Sequence, residues 1–544
     1  MVPATVRRPV QAQEFDRARE EIWENSILVT RSKAIGAGLL AGALAGIVMT
    51  AVMLALMWAG IGTPLTLIGD RVTVFIKPGP FLTLMGRVGG YSHLKQLGVG
   101  GTIAGQIMVG AVAGMIYGLI MRRRKKDPPF VVTLGIFFFL PLLVFLGLLW
   151  PVLGTSNRGY PIRPAAILVA LGLALAFFIF ERVLVLSFRY LTTARGSPNE
   201  LAYSPAIGRR ALLLGGLGLL FAGGGAAIVR RLFQVATFSY DGTQYLGPAV
   251  EGITPNDKFY CVTKNVIDPK VDESLWRLEV TGLVRQRQTY KIGRLHSLPA
   301  VEQETTLMCI SNGLGAGLMS NARWRGVPMR ELLHAASPLP GAARVRLHGV
   351  DNYTDTFPLE KALKPTTLIA YGMNGEPLPH RHGFPARVIV PGYFGEKNVK
   401  WVTRIELAGP EAEGFYEKQG WGPNFIVPTR SRIDYPGDFG WFSLTTVGDG
   451  IRMKGVAFAG DRGIARVEVS SDDATSWSAA QIDYPGTKLT WALWSYRWKP
   501  TEPGEYRLVV RATDGTGAVE HFEPERSAFS GATGLHKITA YIGE

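Results

Sequence analysis

The chain carries two thiols, Cys261 and Cys309, in 544 residues. Cys309 stands in TTLMCISNGLG, after a strand-like apolar run and before a glycine-rich loop. A thiol at the mouth of a strand, beside backbone N–H groups, suits a soft metal ligand or a nucleophile. An inert, half-buried cysteine would leave the same local signature. Cys261 follows Phe259 and Tyr260 in FYCVTKN, aromatic neighbours that predict a packed, unreactive thiol. Two cysteines exclude a disulfide scaffold, a cysteine-ligated zinc finger and an iron–sulfur cluster with four cysteine ligands. Of the eight histidines only His93 precedes residue 235, so that half lacks the facing pair a bis-histidine haem needs, and no CxxCH site occurs.

The elements that must position this chemistry fall into two textures. Hydrophobic residues make up 47% of the chain and charged residues 19%, and the apolar excess sits in the first 235 residues. A bilayer core about 30 Å thick needs roughly 20 apolar residues per helix. Runs at 34–61, 98–121, 129–152 and 211–229 contain no charge, and a fifth at 165–188 is interrupted by Glu181 and Arg182. Glycines at 36, 38, 42 and 46 and at 110, 114 and 118 allow close backbone approach and predict a packed bundle. The expected organisation is a cytoplasmic segment at 1–33, a five-helix transmembrane bundle within 34–233, and two extracytoplasmic domains at 240–436 and 437–544.

That orientation follows from Arg122, Arg123, Arg124, Lys125 and Lys126, which crowd one short connection and place it in the cytoplasm. Arg182, Arg189, Arg195, Arg209 and Arg210 then fall on the same side, whereas Arg230 and Arg231 fall opposite. The net charge of +15 is thereby read as lipid-facing, not as a nucleic-acid footprint. The pair Arg209 and Arg210 opens a glycine-rich, moderately apolar stretch, with Gly208 where a twin-arginine export signal prefers Ser or Thr. The positive-inside rule alone produces the same pair. The first 33 residues are too polar for a cleavable signal peptide. The mixed stretch 62–97 has no role readable from sequence.

From about Tyr240 the chain alternates turns with strand-like segments such as WRLEVTGLV, RVRLHGV and ARVIVPG, and short helical ones such as MRELLHAA, the pattern of an α+β domain. FYCVTKN, CISN, SNARWRGVPMRELL, DNY and AYGMNGEPLPHRHGFPARVIVPGYFGEKNVKW follow in order. In this order they resemble the molybdopterin-binding domain of the sulfite oxidase family over roughly residues 255–435. The stretch from 437, with VAFAGDRGIARVEVSSDDATSW and WALWSYRWKPTEPGEYRLVVRATDGTG, resembles that family's immunoglobulin-like dimerisation domain. Its alternating pattern independently reads as a β-sandwich.

The resemblance implies a molybdenum held by a pterin dithiolene and by one protein thiolate at Cys309. It carries cofactor binding onto Thr263, Lys264, Asn265, Asp351, His382, Arg387, Asn398, Val399 and Lys400, with an appended nucleotide left open. Arg387 can grip a phosphate bidentately, which Lys400 cannot. The family's active-site tyrosine falls near Trp421. Two departures bear on substrate: the first motif offers Thr263 and Lys264, and Asn312 is followed by Gly313 and Leu314, where sulfite oxidases place substrate-holding arginines. Each charge-assisted hydrogen bond so lost is worth about 1.5–3 kcal/mol. Sulfite is disfavoured and a neutral oxo-acceptor, a sulfoxide or N-oxide, is favoured. The family's periplasmic reductases of oxidised methionine do such chemistry but lack the immunoglobulin-like tail.

The expected protein is therefore multi-domain: an all-α transmembrane bundle, an α+β molybdopterin domain and an immunoglobulin-like sandwich. It would catalyse two-electron oxygen-atom transfer outside the cytoplasm, with a cytochrome or quinone-linked membrane subunit as redox partner and a homodimer through the tail. One rival is a membrane-anchored binding or assembly protein without redox activity. The other is a transporter, disfavoured because the apolar runs hold almost no polar cluster.

Overall fold

The computed structural model describes residues 10–72, 75–123, 128–155, 158–192 and 236–544, with isolated positions between 212 and 233. Two compact units form, the second composed of Ile68–Gln96, Gly154–Ala165 and Val235–Glu544.

In the first unit, helices at Ala34–Trp58, Tyr91–Arg122, Phe130–Val152 and Ile162–Thr192 are long and apolar enough to cross a membrane. The fifth predicted run, 211–229, lies largely outside the described residues, as do Arg124, Lys125, Lys126, Arg195, Arg209 and Arg210. The first helix begins at Val10, so residues 10–33 continue it instead of forming a separate segment. No glycine or proline between Val10 and Gly36 is there to break it. The predicted glycine stripes face each other: a methyl group built on Gly114 would strike the backbones of Gly38 and Gly42, and one on Gly118 that of Ala34. Those backbones can touch only because no side chain intervenes. The third span contains a π-helical stretch, Gly135–Phe139, beside Pro141, whose ring cannot fit a regular turn. Glu181, fully buried, pairs with its neighbour Arg182, and Arg182 lies over the Phe130 ring at 4.4 Å. Pairing lets the charged interruption of the 162–192 helix persist among apolar side chains.

The second unit holds four sheets. One runs in the order 288–290, 278–282, 402–408, 344–349, 354–358, with 278–282 and 402–408 parallel. A second, antiparallel, runs 301–308, 319–328, 368–373, 376–377, with 387–389 also on 368–373. Helix Met329–Ala336 buries Met329, Leu332, Leu333 and Ala336, one stripe at helical spacing, in the core these sheets share with Trp276 and Trp401. Beyond them, a four-stranded and a five-stranded sheet enclose a core of Met453, Val467, Trp494, Leu508 and Ala540. The four-stranded sheet takes its edge strand, Arg430–Tyr435, from before the expected boundary at 437. Among the described residues of 62–97, helices Pro64–Val72 and Pro78–Arg87 are each opened by a proline, and the span Tyr91–Arg122 begins.

Candidate active site

Cys309 follows the strand Val301–Met308, with its N–H bonded to the Leu318 carbonyl. Its sulfur lies 3.1 Å from the Ser311 hydroxyl. Burial pushes the thiol up to about 11, against the help of Ser311, and Glu396 and Asp241 add to the shift. Without a nearby positive charge this sulfur stays protonated at neutral pH, and a bound cation would reverse that. The loop after it is held from the sandwich side. Arg430 donates to the carbonyls of Asn312 and Gly313 at 2.7 and 2.6 Å, and Arg432 to that of Ala316 at 3.0 Å.

Around this sulfur the structure gathers hydroxyl and carboxyl groups. Tyr260 and Tyr416 lie within electrostatic range of Cys309 and Glu396, and Tyr353 within range of Tyr416 and Glu396. Burial raises all three phenols. Tyr353 donates to Asp355 at 2.7 Å and to the Glu396 carbonyl at 3.2 Å. Both Glu396 carboxyl oxygens are buried without a hydrogen-bond partner. Burial first, then Asp355, raises this carboxyl to about 8, so it carries a proton at pH 7. The neighbouring Lys397 reaches Asp355 at 2.6 Å, with both side chains almost wholly buried.

The nine expected cofactor positions fall into two bonded groups. In the first, Asn265 donates to Asp351 at 2.9 Å, and the Thr263 N–H donates to Asp241 at 3.0 Å. The Lys264 ammonium meets Asp70 at 2.6 Å. In the second, Arg387 donates to the carbonyls of His382 and Asn398 at 3.0 and 3.1 Å. The Asn398 side chain ties Val390 and Phe394, and the Val399 carbonyl receives the Val388 N–H. Lys400 donates to the Arg381 carbonyl at 3.0 Å and approaches the Cys261 sulfur at 3.7 Å. Gly383, at φ +117°, makes this crossing possible, since a Cβ there would meet the Arg387 Cβ at 2.9 Å. Burial pulls His382 down to about 3 and Arg387 to about 10.

This donor set fits a phosphate-bearing pterin and a soft metal. Cys309 is a free thiol, and the buried Arg387 Nε has no partner, a donor whose unmet hydrogen bond costs about 1–3 kcal/mol. Cys261 is buried and packed, as its aromatic neighbours predict. Trp421 stands one ring further out, edge-on to Tyr416 at 5.6 Å and to Phe529 at 5.9 Å. Sequence reasoning missed Tyr353, Tyr416 and Glu396. Tyr353 closes the DNY motif and Tyr416 shares FYEKQGWG with Trp421, so the motifs pointed to the right segments.

Comparison with known proteins accords with this geometry. The family model for an oxidoreductase molybdopterin binding domain matches residues 265–416, and that for a Mo-co oxidoreductase dimerisation domain matches 425–532. Sulfite oxidase of Gallus gallus is 31% identical over 318 residues, 49% of this chain and 68% of that protein. Mitochondrial sulfite oxidase of Rattus norvegicus is 30% identical over 318 residues, and this chain spans 57% of its length. Nitrate reductase [NAD(P)H] of Hordeum vulgare is 29% identical over 324 residues, 48% of this chain and 36% of that protein. With a molybdopterin-binding core, a following dimerisation domain and these relatives, the chain belongs to the sulfite oxidase family of molybdopterin oxidoreductases.

Proposed function

We propose that the chain is a membrane-anchored molybdopterin-dependent oxidoreductase, with its catalytic unit on the extracytoplasmic face, that moves an oxygen atom to or from a small uncharged substrate of sulfoxide or N-oxide type. The observation that supports the substrate class is the commitment of four cations that hold the 263–265 stretch, the Glu396 neighbourhood and the loop after Cys309. Lys95 is held by Asp241, Lys264 by Asp70, Lys397 by Asp355, and Arg430 by two carbonyls. Glu396 adds no charge at neutral pH. A site so balanced gives an anion little return for its lost hydration.

The cofactor, when bound, supplies two-electron oxygen-atom transfer. Cys309 serves as the protein's metal ligand. Thr263, Asn265, Asp351, His382, Arg387 and Lys400, with the backbone at Lys264, Asn398 and Val399, would hold the pterin and its phosphate. Trp421 and Tyr416 wall the substrate side. In the reducing direction the substrate takes up two electrons and two protons and leaves deoxygenated, with water as the second product. Glu396 and the Tyr416 and Tyr353 hydroxyls are the groups placed to hold those protons. The electrons come one at a time from a cytochrome or a quinone-linked subunit, and the tail pairs two copies of the chain.

A second reading, sulfite as substrate, is favoured by the likeness to sulfite oxidases. Detergent-purified full-length protein decides between them. Molybdenum and pterin are measured, then viologen-linked reduction of dimethyl sulfoxide and trimethylamine N-oxide is compared with ferricyanide-linked sulfite oxidation. Molybdenum near one atom per chain, lost in Cys309→Ser, and faster reduction than sulfite oxidation are expected. Faster sulfite oxidation refutes the substrate class, molybdenum retained by Cys309→Ser refutes the ligand assignment, and wild-type protein without molybdenum or pterin favours the non-redox role.

A further inference from the structure

Residues 68–96 follow one apolar helix and run into the first turns of the next, Tyr91–Arg122, and they pack with the unit that contains Cys309. Lys95 is the centre of this contact. Its ammonium meets the Asp241 carboxylate at 2.5 Å, the Asn265 carbonyl at 2.8 Å, the Thr237 hydroxyl at 3.2 Å and the Thr263 carbonyl. The Lys95 and Asp241 side chains are 6% and 0% exposed. An ammonium this deeply buried is tolerated only when its donors are satisfied, and here two of the acceptors are main-chain groups of the 263–265 stretch. Asp241 closes the arrangement by accepting the Thr263 N–H.

The residue between those two carbonyls is held by the same segment. Lys264 turns its ammonium to Asp70 at 2.6 Å, with the two side chains 10% and 16% exposed. The segment also reaches the far side of the site. Gly79 lies against Phe529, which packs on Trp421. Tyr91 sits under the Lys95 ammonium at 4.6 Å and edge-on to Phe81 at 5.9 Å.

We propose that the segment 68–96 is a working part of the catalytic unit, in which Lys95, in the first turns of helix Tyr91–Arg122, is a positioning residue that fixes the 263–265 loop and Asp70 is a specificity residue that withholds Lys264 from anions. The proposal rests on the cofactor site argued above and adds what residues 68–96 do for it. With Asp70 in place, the one cation in the first motif is neutralised, and an oxyanion would have to displace a buried carboxylate to reach it. With Asp70 replaced by its uncharged isostere, Lys264 loses its hydrogen-bonded counterion, and an anion has only the more weakly acting Asp351 to compete with.

The test uses the full-length holoprotein in detergent, with sulfate as a redox-inert oxyanion. Sulfate binding is followed by calorimetry in the wild type, Asp70→Asn and Asp70→Asn/Lys264→Met, and molybdenum per chain is measured in Lys95→Met. Asp70→Asn should bind sulfate at least tenfold more tightly than the wild type, and the double variant should lose the gain. Lys95→Met should retain less than a fifth of the molybdenum after gel filtration. Sulfate affinity unchanged in Asp70→Asn, or gained equally without Lys264, overturns the specificity role. A molybdenum content in Lys95→Met equal to the wild type overturns the positioning role. If Lys95→Met does not fold, Asp70→Asn still decides the specificity role, and Thr237→Val, which removes one Lys95 partner, decides the positioning role: it should lower the molybdenum content, and a wild-type content overturns that role. Wild-type protein that carries no molybdenum or pterin marks failure of the underlying cofactor assignment instead.

Discussion

Glu396 offers a test of the site's electrostatics that needs no substrate. Its carboxyl lies beside Asp355 and Glu417, has no hydrogen-bond partner for either oxygen, and is raised from an ordinary 4.5 to about 8. Below pH 4.5 the folded and unfolded chains both hold this proton. Between pH 4.5 and 8 the unfolded chain has lost it while the folded one keeps it, so stability falls as pH rises, by about 1.4 kcal/mol per pH unit. Above pH 8 the loss is complete, at about 3–5 kcal/mol. Glu396→Gln removes the titration while preserving shape. In a Cys309→Ser background, which keeps metal charge out, the two proteins should melt together near pH 5 and separate steadily above it. At about 2–4 °C per kcal/mol, the Gln variant should melt roughly 6–20 °C higher at pH 9. Scanning fluorimetry from pH 5 to 9 gives the two curves. Parallel curves would show that Glu396 ionises normally, and the proton-holding role assigned to it would fall.

Two other perturbations probe the frame. Lys397→Met strands Asp355, whose side chain is fully buried, and should cost about 3–5 kcal/mol; adding Asp355→Asn should return much of it, read from denaturant midpoints. Gly114→Leu puts a side chain into the backbones of Gly38 and Gly42 and should part the two helices, whereas Gly36→Leu projects into open space. Thermal unfolding and size-exclusion profiles in one detergent compare them.

The legible parts of this protein were those written locally. Cys309 could be read because a strand and a glycine loop flank it within a few residues, and helix Met329–Ala336 because its apolar positions recur at helical spacing. The facing glycine stripes were legible for the same reason, though only folding shows which backbones they meet. The role of 68–96 was not, because Lys95 finds its partners 142 to 170 residues away and nothing in its own neighbourhood announces them. Glu396 was invisible for a related reason. Its neighbours in sequence, Lys397 and Asn398, find bonds in the fold, while Glu396 is distinguished by finding none. Trp421 drew attention over Tyr416 because a resemblance fixes a segment more firmly than a particular ring within it, and the two rings lie edge-on at 5.6 Å.

The arginines that grip the loop after Cys309 also set a timetable for biosynthesis. Arg430 lies 118 residues beyond Asn312, and Arg432 lies 116 beyond Ala316. At about 5–20 residues per second, a ribosome spends several seconds or longer between making that loop and making its supports. Arg430–Tyr435 is moreover an edge strand that needs Ile451–Phe458 to pair with. A nascent chain therefore exposes an unsupported thiol loop until the following domain begins to form, and cofactor loading is a late event, coupled to the maturation of a sandwich that supplies no expected ligand of its own.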